Sequence, residues 1–148
     1  MPTDIEAETE RVARGLITCT LPKSEWTHHA HLRAGLWHVL HHSDDIALVL
    51  LRKRIRAYNK STGVANTATG GYHETITRFY LIIIRQFLNG AGRQRQPDDL
   101  AQELIAGYGD KQLPLGYYTR ERLFSEKARR QWLPPDLTPL PLGAAISA

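Results

Sequence analysis

Ile76, Tyr80, Ile83, Ile84 and Phe87 recur at spacings of three and four residues, and no stretch alternates apolar and polar residues with the period of two expected of a half-buried strand. The fold class that follows is all-α. The run from Tyr80 to Ile84 is apolar nearly all round, so the helix from about Tyr72 to Asn89-Gly90 is expected at the centre of a bundle. Its end falls at a glycine, the residue that best accepts a helix C-terminus. Thr3-Asp4-Ile5-Glu6 has the capping-box form and opens a helix to about Thr18. Ser24, with Glu25 in the following turn, is the expected N-cap of a second helix reaching about His42. Ser43, Asp44 and Asp45 precede a third, Ile46 to about Lys60, with Leu48, Leu51, Ile55 and Tyr58 on its buried stripe.

Pro97-Asp98-Asp99 begins a short helix to Gly107, and Ser125 caps another through about Trp132. The expectation is therefore a bundle of four main helices plus one or two short C-terminal helices. One domain spans 1–133, followed by a Pro-rich extended tail over 134–148. Ser61 to Gly71 is too polar and irregular for a regular element and reads as a loop.

Composition narrows the function classes. A single cysteine, Cys19, excludes an intrachain disulfide framework and a multi-cysteine zinc finger. No apolar run approaches the roughly 20 residues of a membrane-spanning helix. The acidic, polar stretch from Met1 to Glu10 lacks a signal-peptide pattern, so a cytoplasmic protein is expected. The formal charge is +4. The basic residues are nevertheless spread along the chain (Arg52 to Arg56, Arg93 and Arg95, Arg120 and Arg122, Arg129 and Arg130), with no nucleic-acid motif among them. A small-molecule ligand or substrate is the expected partner, rather than nucleic acid or membrane. A homo-oligomer is left open.

The chemistry concentrates in Trp26-Thr27-His28-His29-Ala30-His31-Leu32 and Gly71-Tyr72-His73-Glu74-Thr75. Six of the seven histidines lie between residues 28 and 42, and the seventh is His73. On a helix His28 and His31 share a face, with Gly35, His38 and His42 continuing the stripe. His29 and His41 fall outside it and are expected in solvent, whereas His42 suits the helix C-terminus. His73 shares a face with Ile76, Thr77 and Tyr80. Antiparallel connections would put the starts of the second and fourth helices at one end of the bundle. His28, His31 and His73 would then supply three metal ligands and leave a position for water or substrate. A structural hydrogen-bond network is the competing explanation of the same three residues.

Glu74 is the candidate catalytic carboxylate, as general base, ligand or partner of an imidazole, with a favourable charge at a helix start as the alternative. Trp26, Asn66, Thr67, Tyr72 and Thr77 are candidate substrate-binding residues around the same end. Trp26 and Tyr72 could equally staple the helix starts, and Thr77 could bond back to its own helix. Without thiolates the donor set does not choose among zinc, iron, nickel and manganese.

Trp-Thr-His-x-x-His-Leu, then Gly-Val-x-Asn-Thr and Gly-Tyr-His-Glu-Thr-x-Thr, resembles a group of small uncharacterised bacterial proteins over about Ser24 to Phe79. More distantly, the architecture is similar to the DinB-like four-helix bundles. That resemblance implies a metal site of three histidines from two helices. Those proteins pair one histidine with H-x-x-x-H, whereas this chain has H-x-x-H first and a single histidine second. The function expected on these grounds is a metal-dependent enzyme acting on a small polar or anionic molecule through a metal-activated water or a metal-polarised oxygen. Two alternatives stand beside it: a non-enzymatic ligand-binding or pH-responsive module using the same histidines, and an interaction module using the proline-rich tail with Arg120 to Arg130.

Overall fold

The computed structural model describes residues 7–92 and 94–140, and every regular element among them is helical. The order is α1 (Glu8–Ile17), α2 (His28–His41), α3 (Asp44–Ser61), α4 (Glu74–Ala91), α5 (Pro97–Tyr108), α6 (Arg120–Leu123) and α7 (Glu126–Arg130), with 3-10 turns at Lys23–Glu25 and Leu113–Gly116. The all-α expectation holds. The division into four main helices does not hold as drawn, because α5 has 12 residues against 10 for α1 and has Leu100, Ala101 and Leu104 in the core. No described helix is long and apolar enough to cross a membrane.

Helix α4 is central, as its apolar run requires. Leu81, Ile82, Ile83 and Ile84 are all essentially buried, and α4 packs against α2, α3, α5 and α7. Trp26, just before α2, meets Tyr58 near the end of α3, so that pair runs antiparallel. Asp44 at the start of α3 pairs with Arg85 late in α4, which makes the next pair antiparallel too. The starts of α2 and α4 thus lie toward the same end. A Cβ on Gly35 would sit 2.9 Å from Ile84 Cδ1, so this glycine permits the close approach of α2 to α4.

The caps correct the expected boundaries. Lys23–Glu25 forms a separate 3-10 turn, and Thr27 rather than Ser24 caps α2, its Oγ1 accepting from Ala30 N at 3.2 Å. Ser43 caps α3 through Ile46 N, and Ser125 caps α7 through Ala128 N. The Thr3–Glu6 capping box lies outside the described residues. Within them α1 begins at Glu8, and its first free amides donate to a carboxylate from another helix: Glu8 N to Asp98 Oδ2 at 3.0 Å and Thr9 N to Asp98 Oδ1 at 2.8 Å.

Residues 134–140 carry no helix and lie along the segment 116–124. Arg122 Nε donates to Pro134 O at 2.7 Å, and Asp136 accepts from Thr119 N and Oγ1 at 2.8 and 2.7 Å. Just ahead of them, Leu133 is buried, with its carbonyl accepting from Tyr118 OH at 2.6 Å. The rest of the expected tail lies outside the described residues.

Candidate functional site

Three histidines of α2 repeat one local device. His31, His38 and His41 each place Nδ1 within 2.7–2.8 Å of the carbonyl four residues earlier, at Thr27, Ala34 and Trp37. A carbonyl can only accept, so each Nδ1 carries a proton, and in His31 and His38, whose pKa values desolvation lowers to about 4, Nε2 keeps an acceptor lone pair. His38 uses that lone pair on Arg54, whose NH1 lies 2.8 Å away, and is fully buried. His41 is exposed and stacks on Trp37 with ring centroids 4.1 Å apart. His29 is also exposed, as expected. His42 is the C-cap residue of α2, held through its backbone N–H to His38 O.

His28 and His31 face a cavity of about 330 Å³ between α2, α4 and the segment from Lys111 to Phe124. Its walls are mainly aliphatic, with Leu32, Ile55, Ile76, Ile84, Leu115 and Leu123 among them. The polar groups are few: the two imidazoles, Thr77, Tyr80, Gln112, and the exposed cations Lys111 and Arg120. Trp26 stands outside the lining and stacks on His31 at 3.8 Å between centroids, fixing the ring rather than touching the cavity. His31 is exposed, yet desolvation beside Trp26 and the cavity wall lowers its pKa, with the Thr27 bond opposing and the His28 charge adding. Burial lowers the His28 pKa as well, with the nearby His29 and Lys111 charges adding to the effect and Asp110 opposing it. Both rings are neutral at pH 7. His28 Nε2 lies 3.5 Å from Tyr80 OH, a phenol whose own pKa burial raises. By its spacing with Ile76 and Ile84, Tyr80 belongs to the core stripe, and its hydroxyl is the signal in the sequence that this position also faces a site.

The structure does not bring His73 to this cavity. His28 is level with Tyr80, and seven residues of helix carry His73 about 10 Å further along the axis. The His73 side chain caps α4 instead, Nδ1 accepting from Ile76 N at 3.1 Å while Nε2–H donates to Leu123 O at 2.8 Å. Both ring nitrogens are engaged, so the alternative of a structural network describes this residue. Burial lowers its pKa, consistent with a neutral ring. Among the described residues no group of three His, Cys, Asp or Glu is placed to hold a metal ion. The donor set of His28, His31 and His73 does not fit a shared ion in this geometry.

No family model, no curated protein and no solved structure matches this chain.

The remaining candidates divide between two places. Thr77 lines the histidine cavity while its Oγ1 donates back to His73 O at 2.8 Å. Glu74, Tyr72, Asn66 and Thr67 line a different cavity, with no lining residue in common with the first. Glu74 is buried and receives Arg52 Nε at 3.0 Å, Arg52 NH2 at 2.6 Å and Tyr72 OH at 2.8 Å. Burial pushes its pKa up, but the Arg52 and Tyr72 hydrogen bonds outweigh this and hold it below the usual carboxylate value. An ionised, triply held carboxylate is a poor base, so the catalytic role expected of Glu74 has no support in its surroundings. Asn66 is the keystone of its loop: Oδ1 accepts from Asn59 Nδ2 and Tyr72 N, both at 3.0 Å, and Nδ2 donates to Arg56 O at 3.0 Å.

Proposed function

We propose that the protein binds a small molecule with an apolar body and a hydroxyl or carboxylate head in the cavity beside His28 and His31. The observation that carries this reading is the cavity itself: mainly aliphatic walls whose few polar groups are two neutral imidazoles, a phenol, Thr77, Gln112 and two cations. Pockets that orient a small ligand combine these features, apolar walls for affinity and few polar groups for orientation. The His31 Nε2 lone pair, set by the Nδ1–H bond to Thr27, accepts a hydrogen bond from a ligand hydroxyl. Lys111 and Arg120 complement an anionic head. This is the ligand-binding alternative of the sequence reading, refined toward an amphipathic molecule.

Calorimetric titration with octanoate and octanol tests it. Saturable one-to-one binding is expected, with Leu115→Trp, which fills the cavity, abolishing both interactions. Arg120→Gln should weaken octanoate and leave octanol unchanged. Absence of binding, or binding indifferent to Leu115→Trp, removes the reading.

A catalytic version rests on one further observation, the 3.5 Å approach of His28 Nε2 to Tyr80 OH beside the oriented His31 ring. A neutral imidazole and a neutral phenol can take and give a proton within one cavity. In this version the His28–Tyr80 pair handles the proton, and neither Glu74 nor His73 takes part.

A further inference from the structure

Glu74 and the polar loop belong to a second cavity of about 590 Å³, on another face of α4. Arg52 and Arg56 reach it from α3, Arg78 from α4, and Arg129 and Arg130 from α7. Along the sequence these residues looked dispersed, and the fold gathers them. Five guanidinium groups face one carboxylate, a formal excess of four that equals the excess of the whole chain. The rest of the sequence carries as many acidic as basic side chains.

Several of these groups are held in place before any ligand arrives. Glu74 fixes Arg52 through the bidentate pair and lies 3.9 Å from Arg78 NH1. The Arg78 guanidinium also sits over Trp132, 5.3 Å from the ring centroid. Arg129 NH1 donates to Gly71 O at 2.8 Å. Gly71 itself has φ +81°, and a Cβ there would lie 2.5 Å from Ala65 O, so the loop can close over the cleft only with glycine. Like charges converging in a concave site repel one another and destabilise the fold unless an anion neutralises them. Planar guanidinium forks match phosphate oxygens better than ammonium groups do, and charge-assisted bonds of this kind are among the strongest hydrogen bonds in proteins.

We propose that this cleft is a binding site for a phosphorylated small molecule, with Arg56, Arg129 and Arg130 gripping the phosphate over the floor made by the Arg52–Glu74 pair. The concentration of excess charge in one concave cleft, rather than along a stripe, favours a small anion over a nucleic acid strand. The proposal is independent of the histidine cavity.

The probe is inorganic pyrophosphate, titrated calorimetrically into the full chain at 0.15 M salt. One-to-one binding is expected. Arg56→Gln and Arg130→Gln alter exposed side chains, so the fold is retained; each should weaken binding about tenfold, and the double variant more than either alone. Arg95→Gln removes the same charge from the exposed pair with Glu103, away from the cleft, and should change nothing. Leu115→Trp in the other cavity should also have no effect, which separates failure here from failure of the octanoate experiment. No binding at millimolar pyrophosphate overturns the proposal. So does an equal loss in Arg95→Gln, which would reduce the effect to diffuse charge. Tighter binding of a single-stranded RNA oligomer, lost in Arg56→Gln and Arg130→Gln but kept in Arg95→Gln, would reassign the cleft to nucleic acid.

Discussion

His38 has no exposed surface; its Nδ1–H bonds Ala34 O and its Nε2 accepts from Arg54. Desolvation lowers its pKa to about 4, with the Arg54, His42 and His41 charges adding and the Ala34 bond opposing. The folded protein therefore declines a proton that the unfolded chain accepts below about 6.5. Above that pH both states are neutral and nothing is gained or lost. Between about 6.5 and 4 the unfolded state binds more protons, so stability falls as pH falls, by about 3 kcal/mol for this one ring. His28, His31 and His73 shift in the same direction. The lowered carboxylates Glu74, Asp98 and Asp136 act only below about 4.5, where their unfolded forms begin to protonate. Thermal midpoints should thus decline from pH 7 to 4.5, and His38→Gln should flatten that decline. A midpoint constant over this range would show that His38 titrates normally.

His73 gives a second test at the same scale. Its replacement by alanine removes a cap and leaves Leu123 O without its partner, which should cost about 2 kcal/mol in urea unfolding. Octanoate binding should persist, and any zinc affinity measured by titration should be the same with and without His73. Loss of zinc binding on His73→Ala would restore the three-histidine site.

Helix caps decide where the elements begin. Thr27→Ala should destabilise by about 1 kcal/mol, whereas Ser24→Ala should stay within about 0.5 kcal/mol. Chemical denaturation of the two variants checks the boundary, and the reverse ranking would return the cap to Ser24. Asp98 is the more telling case, because it satisfies α1 from α5 across 90 residues of chain and also receives Arg33 NH1 at 3.4 Å. Asp98→Ala should cost about 1–2 kcal/mol although it lies on a different helix from the one it caps. The residue pattern within α1 carries no trace of that partner. By contrast, Ser43 and Ser125 were legible as caps because donor and acceptor lie three residues apart, a relation already present in the chain.

For the molecule as a whole, far-UV circular dichroism should report a predominantly helical protein. The C-terminal segment is part of its packing. Leu133 is 8% exposed, and Thr75 Oγ1 bridges Gln131 O and Leu133 N at 2.7 and 3.1 Å. Ending the chain at Trp132 should lower the thermal midpoint by about 5 °C or more, at about 3 °C per kcal/mol for a chain of this size. An unchanged midpoint would make the segment a loose appendage.

What the sequence determined by itself was local and periodic. The 3.6-residue recurrence of Leu48, Leu51, Ile55 and Tyr58, the apolar run in α4, and most helix ends depend on neighbours three or four positions away. The shared end of α2 and α4 followed from counting antiparallel connections. Tertiary structure decided how far the helices slide past one another, and close packing such as Gly35 against Ile84 sets that distance. The slide places His28 beside Tyr80 rather than His73, and so separates an apolar histidine cavity from the cleft that holds Glu74. It also brings arginines from α3, α4 and α7 together. No spacing along the chain encodes either result, because each depends on the axial offset between packed helices.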